Sequence, residues 1–596
     1  MPAVTRRTKL VGGSFLLEAH SGSDVFTPED LNLAHQNVTQ IVRDFAHREI
    51  GAAIERIEQR DFHCLRELIR KLSGIGPANA GIADDLEGPA YDAIAAAVIH
   101  EHSALCGSIS VSFGAHSCTG MLPIVCFGTA QQKAKYLPKL STGEWVAACA
   151  LSESIGGTDA LGARATAVIS PDGKEWILNG EKVWVTNGGF ADLLIVFARA
   201  DGSRFSAFIV ERTSPGLSTA PEIAKSGLRG SSTCSVLMND CHIPKENLLG
   251  EIGKGHAVVF SALNMGRLNL GAAMVGSALH SLRDAVSFAR GRKTFDSPLA
   301  SFALTREKIG RMAAGIYSGK SILYRTAGMI DAALSSSANA AEGADRLAEA
   351  FAEYAIECSI VKVWCSEMLG YVADECLQIH GSSGFIEGCL AERAYRDARL
   401  WRVVQGTNEI NRMAIVGLLR KRSDKGEIAM ISALRQLAAE GETDEKKYDS
   451  EAGPLAAERA AVAGARKAGL MLTEMAGRRY GMELANRQDV GAALADFIME
   501  LYAMDSAILR AQKVVDREGE IQAQSAIALA QAGLVQSLEK SELAARRIVS
   551  ATSGRETFRR RMDAVQHRLR YTPPNYPALF QEIAKTVVAD SHDFPE

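Results

Sequence analysis

The sequence lacks the short motifs that would assign it to several common classes of enzyme. It contains no GxGxxG or GxxxxGK[ST] phosphate loop, no HExxH pair and no GxSxG elbow. These absences remove support for nucleotide hydrolysis, zinc proteolysis and α/β-hydrolase chemistry. An excess of positive charge is absent too, because 66 Lys and Arg residues face 70 Asp and Glu residues. The net charge of -4 gives no indication of a nucleic-acid partner.

Cysteine pairs at redox or metal-binding spacing are also missing. The eleven cysteines are scattered, with no CxxC pair, so we expect no metal site. No secretory signal is visible, which favours reduced thiols and a cytoplasmic location of the bacterial type. The run from His102 to Gln132 has no charged residue, but its glycines and Pro123 predict a buried core segment. We therefore expect membrane contact to be peripheral at most.

The 596 residues exceed what one hydrophobic core usually organises, so several packed units are expected. Helical periodicity, then short β-rich runs, then helical periodicity again predict an α+β multidomain fold. Its β unit is expected to be an antiparallel barrel or sandwich, followed by a four-helix bundle. The predicted units are an N-terminal arm (1–26), a helical domain (27–145), a middle β domain (146–252), a helical bundle (253–422), a linker (423–453) and a helical extension (454–596).

Turn residues divide the β-rich region into predicted strands. Residues 175–178 and 182–186 have strand composition, and Asn179-Gly180 between them predicts a turn. His116 lies in an apolar run further upstream, where a packed core histidine is the simplest interpretation.

Two runs in the β-rich region carry the first indication of function. Residues 148–160 (ACALSESIGGTDA) resemble the acyl-CoA dehydrogenase motif in which a strand end and a loop of small residues meet the flavin and the thioester. Residues 178–189 (LNGEKVWVTNGG) follow at the family's spacing. The resemblance implies that FAD is contacted by Leu151, Ser152, Thr158, Trp184 and Thr186. It also implies that Thr158 contacts the substrate.

A third segment, Gly291-Arg-Lys-Thr-Phe295, is similar to the one that reaches the FAD pyrophosphate in this family, typically across a dimer interface. The implied contacts are Arg292, Thr294 and Phe295. A guanidinium fork suits a diphosphate.

A fourth segment, Cys376 to Phe385, is similar to the family's glycine-rich element. Here Gln378 and Gly381 are implied to meet the adenosine side of the cofactor. Ser382 and Ser383 depart from the usual pattern of small or apolar residues.

The run from Gln405 to Arg412 (QGTNEINR) resembles the end of the family's catalytic domain. It implies cofactor contacts from Thr407 and Glu409 and a substrate contact from Gly406. On the long helix that precedes it, Asn264 and Arg267 are implied to contact the substrate. The resemblance covers residues 30–420, and the helical extension makes the very-long-chain branch, a homodimer, the nearest relative.

The residue that normally removes the substrate proton is missing. In this family it is usually a glutamate directly before Gly-Thr, and here that position is Gln405. An amide has no useful basicity near pH 7. Some relatives carry the base on the long helix, at the position that here is Gly266. Glu409, about one helical turn from Gln405, is a third candidate without precedent in the family.

Three explanations of Gln405 stay open: an engineered change that traps substrate, natural divergence, or a base supplied from elsewhere. The resemblance implies an FAD-dependent enzyme that converts long-chain acyl-CoA to trans-2-enoyl-CoA in fatty acid β-oxidation and passes electrons to an electron-transfer flavoprotein. The alternatives are a flavoprotein that binds acyl-CoA without oxidising it, and a flavin oxidase or monooxygenase on the same scaffold. Trp184 and Thr186 alone could be ordinary strand residues, and Arg267 and Arg292 surface charges.

Overall fold

The structure is a computed structural model, and it describes residues 10–75, 92–336, 343–440 and 453–590. The basic residues Arg6, Arg7 and Lys9 and most of the charged segment 440–451 therefore lie outside the described residues. Residues 10–26 are an ordered arm, in which Phe15 and Leu16 are buried. The backbone N–H groups of Gly12 and Gly13 donate to the carboxylates of Glu353 and Glu357, which anchors the arm to the helical bundle.

The first unit is helical. Asn32 caps the first long helix by accepting a hydrogen bond from the N–H of His35. The helices are α1 (Leu33–Phe45), α2 (Gly51–Glu58), α3 (Phe62–Ile75), α4 (Ala93–His102), α5 (Gly107–Gly114), α6 (Leu122–Phe127) and α7 (Ala130–Ser141). Two π-helical segments, Ala46–Ile50 and Ala115–Met121, join α1 to α2 and α5 to α6.

His116, in the second π-helical segment, is a core histidine as predicted. It is 1% exposed, and its Nδ1 accepts a hydrogen bond from the N–H of Ala147 at 3.1 Å. Burial lowers the pKa of His116 to about 4, so the ring is neutral at pH 7. The ring thus joins the helical unit to the first strand of the β unit.

The middle unit is an eight-stranded sheet. Its strands are β1 (Ala147–Ala150), β2 (Thr166–Ile169), β3 (Glu175–Thr186), β4 (Leu193–Ala200), β5 (Arg204–Glu211), β6 (Leu217–Thr219), β7 (Thr233–Pro244) and β8 (Leu248–Leu249). The order is β6-β7-β3-β2-β4-β5-β8, with β1 beside β4. Both β1 and β2 run parallel to β4, so the sheet is mixed, whereas only antiparallel pairing was expected.

Asn179-Gly180 was wrongly predicted to be a turn. Strand β3 continues through it, with a shift of register against β7 between Leu178 and Gly180. The Asn179 amide donates to the Asp240 carboxylate at 3.0 Å, and Gly180 adopts φ 139°. Residues typical of a hairpin turn therefore form a β-bulge, because β7 pairs with both halves of the strand.

The second helical unit follows the sheet, and its first two helices are its longest. Its helices are α8 (Gly255–Gly291), α9 (Ala303–Ser336), α10 (Gly343–Glu353), α11 (Ala355–His380), α12 (Leu390–Leu400) and α13 (Asn408–Asp424). A two-residue turn between β9 (Lys293–Thr294) and β10 (Ser297–Pro298) forms a small hairpin directly after α8. Small and apolar residues of α8 pack against α4, α9 and α11, which places α8 in the centre of the molecule.

The C-terminal extension packs directly on this bundle. Its helices are α14 (Met430–Glu440), α15 (Ala456–Tyr480), α16 (Gln488–Glu518), α17 (Gln524–Thr552), α18 (Arg555–Arg568) and α19 (Tyr576–Ala589). Helix α14 lies within the segment that we predicted to be a linker. Buried Asp505 on α16 accepts from Arg325 of α9 at 2.8 Å and from Arg466 of α15 at 3.0 Å. The extension is therefore joined to the bundle by buried charges as well as by apolar packing.

Two stretches, Gly107–Phe127 and Gly255–Gly291, are long and apolar enough to cross a membrane by length and composition. Their most apolar windows are 78% and 89% buried within the fold. Burial of the first stretch agrees with the prediction of a core segment.

Candidate active site

The loop after β1 is fixed to β3 by a buried ion pair. The Lys182 amine donates to the Glu153 carboxylate at 2.7 Å and to the carbonyl of Leu151 at 3.1 Å. The N–H of Val183 donates to the carbonyl of Ser152 at 2.9 Å. The predicted cofactor residues Leu151 and Ser152 are thus held at a defined position beside β3.

Trp184 projects from a second irregularity of β3. The register against β7 shifts between Lys182 and Val185, and Trp184 adopts φ 56° with 58% of its surface exposed. A methyl group added at Gly157 would lie 3.7 Å from Ser152 Oγ and 3.8 Å from the indole ring. Ser152, Gly157 and Trp184 therefore surround one small space, and a flat aromatic face stands open beside it.

Thr186 is the last residue of β3, and the next residue, Asn187, fixes this end of the strand to the first helical unit. The side-chain amide of Asn187 donates to the carbonyls of Ser112 at 2.9 Å and Ala147 at 3.3 Å. Thr186 is half-buried, whereas Thr158 lies on the exposed loop that follows Ser152. The open loop and the exposed indole can accommodate a planar ring system, which is what the predicted flavin requires.

Gln405 lies directly against Gly266 of α8. A Cβ atom added at Gly266 would stand 2.9 Å from Oε1, 3.0 Å from Cδ and 3.2 Å from Nε2 of Gln405. The two positions that the sequence predicts for a base therefore lie at one place, and neither supplies a carboxylate. Gln405 Oε1 is buried and has no hydrogen-bond partner among the described residues.

Buried cations hold the backbone that carries Gln405. The Arg267 guanidinium donates from Nε to the Gln405 carbonyl at 3.3 Å and from Nη1 to Asn264 Oδ1 at 2.9 Å. A further bond from Nη1 reaches Ser359 Oγ at 3.3 Å. Burial lowers the pKa of Arg267 to about 10, so it stays charged at pH 7. The structure brings Asn264, Arg267 and Gln405 together, and their mutual bonds form the wall behind the carboxamide.

Lys362 of α11 completes this wall, and we did not predict it. Its amine donates to the Gly406 carbonyl at 2.8 Å and to Asn408 Oδ1 at 2.7 Å. Asn411 donates to the same Gly406 carbonyl at 2.9 Å. Burial lowers the pKa of Lys362 to about 7. A lone lysine in the apolar run Ile360–Trp364 was the feature of the sequence that could have revealed it.

Thr407 and Glu409 begin the helix that follows Gln405. The Thr407 hydroxyl accepts from the N–H of Ile410 at 3.3 Å and caps α13. Glu409 is exposed in the first turn. Hydrogen bonds from its own N–H and from Thr407 lower the pKa of its carboxyl. A solvent-facing carboxylate with a lowered pKa is poorly suited to replace a buried base.

The remaining predicted cofactor residues lie at the C-terminal ends of α8 and α11. Arg292 is 26 residues beyond Gly266, a separation of about 39 Å along α8. Arg292 and Phe295 are exposed, Phe295 at 87%, and Thr294 is half-buried in the same hairpin. Gln378 and Gly381 are exposed at the end of α11, where Gly381 adopts φ 59°. These residues form a second group, separate from the wall around Gln405.

The arrangement defines a class of protein: a helical, β and helical scaffold with an open aromatic site on its sheet and a helical extension. Residues 32–144 match the acyl-CoA dehydrogenase N-terminal domain and residues 148–241 the middle domain. Two acyl-CoA dehydrogenase C-terminal domain descriptions match residues 253–417 and 464–567.

The chain belongs to the acyl-CoA dehydrogenase family. It is 38% identical over 565 residues to a probable acyl-CoA dehydrogenase of Bacillus subtilis, covering 95% of each chain. It is 35% identical over 390 residues to the human very long-chain specific enzyme, covering 63% of this chain and 55% of that one. The crystal structure of a Bacillus anthracis acyl-CoA dehydrogenase complexed with FAD superimposes with a TM-score of 0.94. Identity to it is 38%, and the match covers 98% of this chain and 99% of that one.

These similarities confirm the predicted family and its fold of helical, β and helical domains with an additional helical domain. The prediction of a flavoprotein oxidoreductase of fatty acid metabolism with FAD as cofactor is confirmed at the level of the family.

Proposed function

We propose that this chain is an FAD-dependent flavoprotein that binds a long-chain acyl-CoA thioester but dehydrogenates it very slowly. The contact between Gln405 and Gly266 is the observation that carries this proposal. It leaves no carboxylate at the point where both known arrangements of the family would place the base.

The chemistry requires a proton acceptor at the substrate's α-carbon. Bound FAD would accept the hydride that leaves the β-carbon. Gln405 can accept a hydrogen bond through Oε1 or donate one through Nε2, but it cannot take up the proton. A positioned general base contributes about 10² to 10⁴ in rate, and loss of that factor should leave binding largely intact.

The residues that surround Gln405 and Trp184 support ligand binding. Arg267 and Lys362 hold the carbonyls of Gln405 and Gly406, so the carboxamide has a defined position. Trp184, Ser152 and Gly157 leave an open space beside an aromatic face, which suits the flavin ring. The buried, unpartnered Oε1 of Gln405 would gain a partner if a bound ligand presented a hydrogen-bond donor there.

The exposed residues at the ends of α8 and α11 support a homodimer. Arg292, Phe295 and Gln378 lie open on the surface of one chain, as expected if a second copy completes the diphosphate site. We propose long-chain substrates, because the chain is 35% identical over 390 residues to the human very long-chain specific enzyme. A cytoplasmic location, with at most peripheral membrane contact, agrees with eleven cysteines that are all free thiols.

A second function is ordinary dehydrogenation to trans-2-enoyl-CoA in fatty acid β-oxidation, with electrons passed to an electron-transfer flavoprotein. The family's other motifs, which are kept except at Ser382 and Ser383, favour it. Anaerobic titration of the purified yellow protein with acyl-CoAs of increasing chain length separates the possibilities. A shift of the flavin spectrum without bleaching supports our proposal, and rapid bleaching supports the second function. Indifference to every acyl-CoA would contradict both and indicate an oxidase or monooxygenase with another substrate.

A further inference from the structure

Asp284 of α8 and Cys376 and His380 of α11 converge where these two helices end side by side. Asp284 Oδ2 is 3.2 Å from His380 Nε2 and 3.9 Å from Cys376 Sγ. The three candidate ligand atoms all lie within 4.8 Å of one another. Cys376 is fully buried and His380 is 8% exposed, whereas Asp284 is partly open to solvent.

The hydrogen bonds of His380 leave two acceptors facing each other. Its Nδ1 lies 2.8 Å from the carbonyl of Cys376, which can only accept, so Nδ1 carries a proton and donates it. In the neutral ring, Nε2 then presents a lone pair toward the carboxylate of Asp284. Two acceptors at 3.2 Å repel unless a cation lies between them, either a proton on Nε2 or a metal ion.

The geometry points to a metal. We propose that Asp284, Cys376 and His380 form a three-ligand site for a soft divalent transition-metal ion such as Zn²⁺. Tetrahedral zinc with bonds of about 2.0 to 2.3 Å places its ligand atoms about 3.3 to 3.6 Å apart. The two separations from Asp284 Oδ2, 3.2 Å to Nε2 and 3.9 Å to Sγ, lie within a few tenths of an ångström of that range. The thiol lies 3.9 Å from Nδ1, so the Cys376 side chain must turn toward Nε2 to complete the site.

The surroundings match a metal site in two further respects. The Nδ1 bond to a backbone carbonyl fixes the tautomer and directs Nε2 at the ion, as the outer partners of zinc-binding histidines do. The Phe288 ring packs on the imidazole with centroids 4.3 Å apart and covers one side of the site. The partly open Asp284 leaves room for a water molecule as fourth ligand.

Binding would also connect two predicted cofactor segments. Gly381, with its left-handed backbone, follows His380 directly, and Arg292 lies eight residues beyond Asp284. An ion at this point would cross-link the end of α8 to the end of α11. We did not expect a metal from the sequence, because Asp284 is distant along the chain from the Cys-x₃-His pair.

Metal binding must release protons. A thiol must lose its proton to bind a metal as a thiolate, and an imidazolium must lose the proton on Nε2. The ion therefore replaces one proton from the thiol and one from the imidazolium, forming one metal–sulfur and one metal–nitrogen bond. Its apparent affinity should rise up to about 100-fold per pH unit while both groups are protonated.

The test uses the full-length holoprotein without an affinity tag, dialysed against a chelator and titrated with Zn²⁺ by calorimetry and with Co²⁺ by absorbance. We expect one ion per chain and tetrahedral cobalt bands at wavelengths beyond the flavin absorption. Cys376→Ser, His380→Gln and Asp284→Asn should each weaken binding at least 10-fold. Cys365→Ser, a buried thiol on the same helix, should not.

Absence of stoichiometric binding to the folded wild-type protein would overturn the proposal and leave an imidazolium–carboxylate pair in its place. Binding that survives both Cys376→Ser and His380→Gln would overturn it as well. If a variant fails to fold, the X-ray absorption spectrum of Co²⁺ bound to the wild-type protein gives the same answer, because it must show one sulfur neighbour. A bound ion with only nitrogen and oxygen neighbours would count against the site.

Discussion

The carboxamide of Gln405 occupies the space that a side chain on Gly266 would fill, 2.9 Å from the position of the added Cβ. Gly266 and Gln405 are 139 positions apart in the chain, yet they lie at the same point of the site. Because neither residue is acidic, the arrangement can bind and orient a ligand but offers no proton acceptor there.

Replacing Gln405 with glutamate should restore the base. We expect Gln405→Glu to raise the rate of anaerobic flavin bleaching by long-chain acyl-CoA about 10² to 10⁴-fold. Stopped-flow absorbance measures this rate. Gln524→Glu is the matched control, since it makes the same change at an exposed position of the extension and should leave bleaching unchanged. Equal rates for wild type and Gln405→Glu would remove position 405 from the chemistry.

The base should also work from the α8 side. Glutamate at 266 alone would have to displace the carboxamide, so the double variant Gly266→Glu with Gln405→Gly, which frees that space, is the relevant one. We expect it to bleach the flavin faster than either single variant, because only the double variant has both a carboxylate and the room for it. A double variant no faster than Gly266→Glu would show that the two positions do not share one space.

Trp184 should matter for the flavin and little for the fold. It is 58% exposed, whereas Trp176 on the same strand is 4% exposed and packs in the core. Trp184→Ala should release FAD more readily with little change in melting temperature. Trp176→Ala should instead cost about 3 to 5 kcal/mol of unfolding free energy. Fluorescence of released FAD and thermal unfolding measure the two effects, and the reverse pattern would refute the assignment.

Lys362 should give a pH-dependent term in stability. Its pKa of about 7 in the fold lies below the value of about 10.4 in an unfolded chain. The unfolded chain therefore binds the extra proton between these values, and the free energy of unfolding rises with pH across that window. The slope from this group is at most about 1.4 kcal/mol per pH unit. Lys362→Met should remove this slope in urea unfolding, whereas Lys421→Met, at an exposed position, should keep it.

Asp505 should anchor the extension. Removing its carboxylate leaves Arg325 and Arg466 as uncompensated buried charges. Asp505→Ala should destabilise the protein by about 3 to 5 kcal/mol. Asp516→Ala, on the exposed side of the same helix, should change stability by less than about 0.5 kcal/mol. If the two variants had the same melting temperature, apolar packing alone would hold the extension on the bundle.

The broad order of the fold could be predicted from periodicity, because helices and strands of this size repeat their apolar residues regularly. The bulge at Asn179-Gly180 could not, since a local turn signal was overruled by pairing with β7. The mixed character of the sheet was also hidden, because the neighbours of β4 depend on contacts between distant segments.

The residues of the candidate site could be predicted where they belong to a sequence motif. They could not be predicted where they are brought together only by contacts between distant segments. The sequence indicated that positions 405 and 266 both lack a carboxylate, but only the structure shows that they touch. Lys362 was missed because its two acceptors lie more than forty residues away. The Asp284–His380 contact was missed for the same reason.

The most direct test of the central claim follows the α-proton itself. Long-chain acyl-CoA deuterated at the α-carbon is incubated anaerobically with the flavoprotein in ordinary water, and loss of deuterium is followed by mass spectrometry. The wild-type protein should bind this ligand and exchange it no faster than buffer does, while Gln405→Glu should exchange or oxidise it rapidly. Rapid loss of deuterium with the wild-type protein would show that another group takes the proton and would contradict the account.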